Sequence, residues 1–268
     1  MIKILRFLAK YYLIPASLVW VLHSCTVKED RTDCPCFLEV LIPEKDLISA
    51  PVILTGWTTE EVFLDRLSPG RMQDAYTYRV PRTMLHFSAF EGVSECIEEK
   101  NMVTVPLGSQ CDSLYAFIDL VDCTGETAST TVHFHKQFAT VTLQIVNESF
   151  PSEDYSFAVS SGSSGLDMLS LQAVPGNFSY QPRLDENKRM SFRLPRQGDD
   201  SLSLSVTHIS GDSVLFPLGR YISDSGYDWD ATDLKDIYIS LDIARNHVTI
   251  GVAGWENAGE FEQSTIEM

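Results

Sequence analysis

The chain has 268 residues, of which 44% are hydrophobic, and its 37 acidic and 20 basic residues give a formal net charge of −17. This acidic balance excludes a nucleic-acid-binding protein, because binding to a phosphate backbone requires clustered lysine and arginine side chains. The hydrophobic content is sufficient for one large or two small all-β domains with cores of their own.

The first 24 residues have the pattern of a lipoprotein signal peptide. Three basic residues and a short apolar run lead into the lipobox Leu22, His23, Ser24 and Cys25. Signal peptidases that cut before a lipidated cysteine need a small residue just ahead of it and an aliphatic one three positions ahead, as here, although His23 is atypical. An apolar run of about a dozen residues is too short to span a bilayer. We therefore predict lipidation at Cys25, with an ordinary cleaved signal or an interfacial helix as the alternative.

Residues 25–33 are polar and predict a lipidated leash that holds the globular part off the membrane. Several acyl chains on one cysteine make desorption negligible, because each buried methylene contributes about 0.8 kcal/mol. Lys28-Glu29-Asp30 resembles the signal that sends some lipoproteins to the outer face of the outer membrane. We therefore expect attachment to outer-membrane lipid through acylated Cys25, with the protein exposed at the cell surface.

Five further cysteines follow, an odd number that leaves at least one thiol free or paired with another chain. They are Cys34, Cys36, Cys96, Cys111 and Cys123. Cys34 and Cys36 are too close in an extended chain for an easy mutual disulfide, and a zinc site would need a second closely spaced pair. We predict structural thiols or disulfides within the first domain, and the spacing leaves their connectivity open.

Alternation of apolar and polar residues predicts an all-β fold. The clearest segments are 38–42, 85–89, 114–120, 141–145, 202–206, 237–243 and 248–252. Pro-Gly, Gly-Asp and Arg-Asn pairs between such segments predict turns. One short helix is expected from Thr59 to Leu67, where Thr59 would cap and Val62, Phe63 and Leu67 form a partial apolar stripe.

About fifteen predicted strands exceed what one simple sandwich needs, so we divide the chain into two antiparallel sandwiches. Residues 34–127 form the predicted N-terminal β-sandwich and residues 128–268 the C-terminal one, joined at the polar segment 124–127. Each is expected to have exposed edge strands that must be protected or used.

Motifs that would support catalysis or metal binding are incomplete. The segment Ser161 to Gly165 lacks the nucleophile-elbow pattern of a serine hydrolase. His133 and His135 would share a strand face, but no third ligand follows at a suitable spacing. An acidic stretch could offer oxygen ligands to calcium, yet it lacks the EF-hand glycine and terminal glutamate. That stretch contains Asp224, Asp228, Asp230, Asp233 and Asp236. We predict no catalytic residue, no metal and no cofactor.

Three segments resemble the FimB-like fimbrial anchor lipoproteins, the anchor-subunit family of type V pili. They are the lipobox with its acidic leash and Cys34-Pro35-Cys36, the segment 133–144, and the C-terminal segment 228–255. The resemblance spans nearly the whole chain. It implies two tandem transthyretin-like antiparallel β-sandwich domains after a lipoprotein signal peptide, and a role at the base of a pilus.

In such pili a subunit accepts a β-strand from its neighbour, so the resemblance implies pilus stalk subunits as partners. Stalk subunits carry a pro-segment, whereas only the short leash separates Cys25 from the first strand, which favours a terminal subunit. By position, the segment 259–268 is a candidate donor strand, in which Phe261, Gln263 and Thr265 alternate with the residues between them. Its apolar pattern is poor, and a simple tail or a capping strand is the alternative.

A surface glycan-binding lipoprotein with tandem β-sandwiches is the competing hypothesis. Such proteins use exposed tryptophans as flat surfaces for sugar rings, and Trp57, Trp229 and Trp255 are the candidates. Two exposed coplanar tryptophans in one cleft would favour glycan binding. An unfilled apolar groove along a sheet edge would favour the pilus role.

Overall fold

A computed structural model describes residues 34–43, 48–99, 101–146, 151–242, 247–253 and 261–266, the last two ranges by their backbone alone. The lipobox and the leash up to residue 33 lie outside the described residues. Within the described ranges, no helix has the length and apolar character needed to cross a bilayer.

Strands make up most of the described chain. The N-terminal strands are β1 (Cys36–Leu41), β2 (Val52–Trp57), β3 (Glu61–Leu67), β4 (Ala75–Val80), β5 (Met84–Glu91), β6 (Ile97–Glu99), β7 (Met102–Thr104), β8 (Tyr115–Asp122) and β9 (Thr127–Thr131). The C-terminal strands are β10 (His135–Lys136), β11 (Phe138–Ile145), β12 (Tyr155–Asp167), β13 (Ala173–Tyr180), β14 (Arg189–Pro195), β15 (Ser203–His208), β16 (Ser213–Phe216), β17 (Asp236–Asp242), β18 (His247–Ala253) and β19 (Phe261–Ile266). A 3-10 turn (Ser152–Asp154) precedes β12, and a short helix α1 (Leu218–Asp224) follows β16. The predicted all-β fold class is confirmed.

Two sheets contribute to the N-terminal core. The smaller has the order β4-β1-β9, with β1 antiparallel to β4 and parallel to β9. The larger has the order β10-β8-β5-β2-β3 and is antiparallel throughout. Leu38 and Val40 of β1 are buried in one cluster with Leu85 and Phe87 of β5, whereas Glu39 between the β1 pair is exposed. Burial of alternate residues from two sheets is the pattern of a β-sandwich.

Two further sheets share the C-terminal core. One has the order β14-β11-β17-β18-β19, with β11 parallel to β17 and the other pairs antiparallel. The other has the order β16-β15-β12-β7-β6, and β13 also pairs with β12. Val141 and Leu143 of β11 are buried in one cluster with Ile239 of β17, Val159 of β12 and Leu204 of β15. The antiparallel sheets agree with the sandwich fold expected from the sequence.

The N-terminal part of the chain also contributes to the second core. Strands β6 and β7 precede residue 127, yet β7 pairs with β12 across Thr104–Gly165, Val103–Leu166 and Met102–Asp167. The second cluster accordingly includes Cys96, Val103 and Cys111. The division of the chain between residues 127 and 128 stays a prediction.

The helix expected from Thr59 to Leu67 is wrong, because Glu61–Leu67 form β3, which pairs antiparallel with β2. Phe63 lies opposite Gly56 and stacks on the Tyr78 ring of β4, with ring centroids 4.2 Å apart and planes inclined by 5°. A Cβ atom at Gly56 would lie 2.3 Å from Phe63 Cε1, so only glycine leaves room for this ring. The local sequence permits a helix, and the partners on β2 and β4 override it.

The described helix, α1, was not predicted from the sequence. Pro217 stands at its N-cap position, and Leu218, Tyr221 and Ile222 form its buried face. Their i, i+3, i+4 spacing is the helical signal that was available. Gly219 brings the first turn against the backbone of Asp200, where an added Cβ would lie 2.5 Å from the Asp200 carbonyl oxygen.

Candidate functional site

The predicted donor segment forms the edge strand β19. It pairs antiparallel with β18 over its whole length, with Phe261 opposite Ala253, Gln263 opposite Gly251 and Thr265 opposite Thr249. In the described sheet β19 has a neighbour on one side only, since the order ends there. The structure therefore contains this segment in the position of a capping strand on its own sheet. Its use as a donor in assembly stays a prediction.

Strand β17 connects β18 and β19 to the rest of their sheet. Its first residue, Asp236, makes side-chain contacts with β10 and β11. Asp236 Oδ1 accepts hydrogen bonds from Lys136 Nζ at 2.5 Å and from the Thr140 N–H at 2.8 Å. The Lys136 side chain is 6% exposed, and its ammonium group lies 4.7 Å from the centroid of the Phe138 ring. A buried cation is therefore paired with a carboxylate and a ring face in one place.

Arg196 is a second buried basic residue, and it is 3% exposed. The guanidinium donates to the Trp229 carbonyl, to Gln137 Oε1 at 2.6 Å and to the Ala231 carbonyl at 3.0 Å. Burial lowers the pKa of Arg196, and the nearby acidic loop acts in the opposite direction. Arg196, which directly follows β14, thus holds the loop ahead of β17 through hydrogen bonds to two of its carbonyl groups.

Several carboxylates of the acidic stretch 224–236 have hydrogen-bond partners within the chain. Asp233 accepts a hydrogen bond from the Lys136 N–H at 2.7 Å, and its other oxygen lies 2.9 Å from His135 Nδ1. Asp228 accepts the Asp230 N–H at 2.9 Å. Within the described ranges, no group of three or more His, Cys, Asp and Glu side chains has the arrangement of a metal site. Backbone N–H groups and basic side chains of the chain thus contact the carboxylates of Asp228, Asp233 and Asp236.

The two histidines and the serine-rich segment considered in the sequence analysis lie in different surroundings. His133 is exposed, whereas His135 is half-buried against Asp233. The segment Ser161 to Gly165 lies inside strand β12, where Ser161 Oγ donates to the Ser163 carbonyl at 2.9 Å. A strand interior is not the strand-to-helix turn that a nucleophilic serine requires.

The tryptophans expected to stack on sugar rings do not form an exposed pair in the described residues. Trp57 is half-buried, and its indole N–H is buried without a hydrogen-bond partner among the described residues. Trp229 is half-buried with its ring edge-on to Tyr227, at a centroid distance of 4.6 Å. Trp255 lies outside the described residues.

An open cleft of about 450 Å³ lies beside the start of β12. It is lined by Glu153, Tyr155, Ser156, Phe157, Gln181, Pro182, Arg183 and Leu184. Glu153, Gln181 and Arg183 are exposed, while the Tyr155 ring contacts the His208 ring edge-on at 4.8 Å. An aromatic ring beside polar groups that can each make two hydrogen bonds is a surface that sugar hydroxyls can use.

The cysteines predicted as structural are all thiols in the structure, with Cys34 exposed and the other four buried. The lipid-attachment residue Cys25 lies outside the described residues. Sequence reasoning missed the buried cations Lys136 and Arg196. A signal was available, because each is a basic residue close to the end of an apolar strand, in a chain with four aspartates between α1 and β17 or at the end of α1 and a fifth, Asp236, at the start of β17.

Comparison with solved structures identifies similar folds. A candidate polysaccharide-binding protein from Bacteroides thetaiotaomicron aligns with a TM-score of 0.62 at 14% identity, over 87% of this chain and 98% of that one. The fimbrial anchor protein Mfa2 from Porphyromonas gingivalis aligns with a TM-score of 0.59 at 12% identity, over 83% and 98% of the two chains. A candidate adhesin from Bacteroides thetaiotaomicron gives 0.53 at 15% identity, over 81% and 96%.

No protein-family model and no curated protein matches the chain. At identities of 12–15% the likeness to solved structures concerns the fold. The resemblance to fimbrial anchor proteins that the sequence predicts is confirmed at that level, because this chain has the same fold as a fimbrial anchor protein.

Proposed function

We propose that this protein is a surface protein of the fimbrial and adhesin type, and specifically an anchor subunit. It would tether the base of a type V pilus to the outer membrane through lipidated Cys25 and join the stalk by β-strand complementation. The observation that carries the proposal is β19, the last of the described strands, which lies at the edge of its sheet and, among the described residues, pairs with β18. The fold shared with a fimbrial anchor protein supports it.

The position of β19 suits exchange between subunits. Release of β19 would break one ladder, the pairing with β18, and would leave β11, β14 and β17 paired as they are. A strand that adds to the edge of another sheet gains main-chain hydrogen bonds, and its alternate side chains provide specificity. Residues 261, 263 and 265 stand at alternate positions of β19 and would therefore enter the partner's sheet on one face.

The other end of the chain suits attachment to lipid. Strand β1 begins at Cys36, so ten residues separate it from Cys25. Fully extended, such a segment reaches at most about 36 Å. This reach is comparable with the thickness of a lipid bilayer, so the leash would hold the sandwiches close to the membrane surface.

The test of the anchor role is recovery of the protein with its partners from the native cell envelope. We expect the wild-type protein to bring down a ladder of pilus subunits from the membrane fraction. Cys25→Ala should leave the fold intact and move both the protein and its fibres into the medium. Cys34→Ala is the matched control, because it removes a nearby exposed thiol without touching the lipid attachment. Recovery of glycan-uptake proteins, or of no partner, would contradict the proposal.

Glycan binding is the second candidate function, and the cleft beside β12 is the observation that favours it. Tyr155 and Arg183 would be the residues in contact with a sugar. A glycan array with the wild-type protein and with Arg183→Ala would test it, and Arg220→Ala, an exposed arginine on α1, is the control. Loss of a glycan signal in Arg183→Ala alone would support this function. No signal from the wild-type protein would contradict it.

A further inference from the structure

Four of the five described cysteines are buried, and they fall into two pairs in different cores. Cys36 and Cys123, both 0% exposed, belong to the cluster of the N-terminal sandwich. Cys96 and Cys111, 8% and 2% exposed, belong to the cluster of the C-terminal sandwich. Cys34 is the exposed cysteine among those described. The grouping of the four buried cysteines into two pairs follows from the fold and does not depend on the proposed function.

The first pair joins the beginning of β1 to the end of β8. Interaction with the Cys36 thiol contributes to raising the pKa of the Cys123 thiol, and both side chains belong to the same buried cluster. The backbone on both sides is fixed, because the Phe37 N–H donates to the Glu126 carbonyl at 2.9 Å and the Cys123 N–H to the Thr83 carbonyl at 3.1 Å. Cys36 on β1 and Cys123 at the end of β8 belong to two different sheets, and both side chains are buried in the core that these sheets share.

The second pair is positioned by the buried carboxylate of Asp112. Asp112 Oδ2 accepts the Ser94 and Cys96 N–H groups at 2.8 Å, which places Cys96 beside the residue that follows Cys111. Cys111 is fixed to β14 by two hydrogen bonds with Arg193, at 3.1 Å and 2.7 Å. Interaction with the Cys96 thiol contributes to raising the pKa of the Cys111 thiol, and both side chains belong to the same buried cluster.

We propose that the mature protein contains two disulfides, Cys36–Cys123 and Cys96–Cys111, and that Cys34 is left as the unpaired cysteine. Each bridge forms by exchange with an external disulfide, the chemical class of the thiol oxidants in compartments that receive exported proteins. One thiolate attacks the external disulfide and releases one thiol. The second thiolate attacks the mixed disulfide and releases the other. The protein loses two protons and two electrons per bridge, and the external disulfide gains them.

Burial determines when this oxidation takes place. Burial raises the pKa of the Cys123 thiol to about 12, and the adjacent Cys36 thiol acts in the same direction. The hydrogen bond to Cys96 and burial together raise the pKa of the Cys111 thiol. The attacking species is the thiolate, which is therefore scarce once the chain is folded. The bridges should form while the chain folds and only slowly afterwards.

The test is a disulfide map of the full-length protein extracted from its own cell envelope. Free thiols are blocked with N-ethylmaleimide during extraction, and the protein is digested without reductant and analysed by mass spectrometry. We expect linked peptides for Cys36–Cys123 and Cys96–Cys111, and an adduct on Cys34. Alkylation of the four buried cysteines, or a bridge between any other two cysteines, would overturn the proposal.

Thiol titration in denaturant provides a second readout that does not depend on peptide recovery. Relative to wild type, Cys36→Ala and Cys96→Ala should each gain one free thiol, because each leaves its partner unpaired. Cys34→Ala is the matched control and should lose one. If Cys36→Ala or Cys96→Ala loses one thiol instead, the corresponding bridge does not exist.

The rate of oxidation separates bridges made during folding from bridges made afterwards. The reduced, unfolded wild-type protein is refolded with glutathione disulfide present from the start, or with glutathione disulfide added after folding. We expect both bridges in the first sample and at least ten-fold slower formation in the second. Equal rates would contradict the proposed order of events.

Discussion

The Lys136 ammonium group lies 2.5 Å from the Asp236 carboxylate, and this contact links β10 to the first residue of β17. The lysine side chain is 6% exposed and that of the aspartate is 36% exposed. Asp236 also accepts the Thr140 N–H, so one carboxylate holds both β10 and β11 against β17. The ion pair and this hydrogen bond thus add to the β11–β17 ladder where β17 begins.

Removal of that ion pair should destabilise the C-terminal sandwich. We expect Lys136→Ala to lower the free energy of unfolding by about 2–3 kcal/mol, below the full cost of breaking a buried pair because Asp236 is partly solvated. The measurement is urea denaturation followed by fluorescence. Arg220→Ala is the matched control, since Arg220 and Asp224 form an exposed pair at 3.7 Å, and it should change stability by at most about 0.5 kcal/mol. Equal effects of the two substitutions would contradict a buried pairing.

Asp112 should contribute to stability in a pH-dependent way. Burial acts to raise its pKa, but hydrogen bonds from Cys96 and Ser94 outweigh burial, and the pKa is lowered. Because the folded-state pKa is below the unfolded one, the stabilisation is complete above the unfolded value of about 3.9 and is lost as the pH falls through the folded value.

We therefore expect Asp112→Asn to cost about 1.5–3 kcal/mol at neutral pH, because hydrogen bonds to a charged acceptor are replaced by weaker ones. The difference from wild type should shrink as the pH falls below about 4. Glu95→Gln is the matched control, because it removes a charge from the same turn and leaves the hydrogen bonds of Asp112 in place. A pH-independent difference between Asp112→Asn and wild type would show that the ionised carboxylate is not the acceptor.

The contact between Gly56 and Phe63 predicts a steric effect. Gly56→Ala would place a Cβ atom 2.3 Å from Phe63 Cε1, and stacking on Tyr78 limits how far the ring can move. We expect a loss of about 1–3 kcal/mol, as for other overpacked cores. The double variant Gly56→Ala/Phe63→Ala should lose less than the sum of its single changes. Gly125→Ala, whose nearest neighbour would be 3.5 Å away, is the control and should be close to neutral.

The strands were predictable where one face is buried and one is not. In β11, buried Val141, Leu143 and Ile145 alternate with half-buried residues, which is the pattern that the sequence shows. The segment Thr59 to Leu67 could not be assigned in the same way, because every residue from Glu61 to Arg66 of β3 is exposed or half-buried and a period-two pattern is weak there. Its state depends on contacts with Gly56 and Tyr78, which are distant in the sequence or lie on other strands.

The candidate site was predictable in part. The segment containing Phe261, Gln263 and Thr265 was selected by its position, with only a poor apolar pattern, and it forms β19. The pairing of thiols could not be read from the sequence, because Cys36 and Cys123 are brought together by the strand pairs around them. Spacing along the chain does not determine which distant cysteines are paired.

A reversible covalent lock on β19 would test strand exchange directly. Thr249 of β18 and Thr265 of β19 stand opposite each other in the antiparallel register, where Cα atoms are about 4.5–5.5 Å apart and within disulfide range. In a Cys34→Ala background, Thr249→Cys/Thr265→Cys should hold β19 on its own sheet when oxidised. We expect the locked protein to remain on the membrane but to retain no stalk subunits. Mild reduction should restore their recovery.

The matched control for the lock shares one of its residues. Ser240→Cys/Thr249→Cys joins β17 to β18 at another directly opposed pair and leaves β19 free to move. Because both double variants introduce two thiols and close a bridge on β18, a difference between them isolates the release of β19. Full recovery of stalk subunits by the oxidised Thr249→Cys/Thr265→Cys protein would show that another strand joins the anchor to the pilus. Loss in both variants would point to rigidity of β18, and not to β19, as the requirement for assembly.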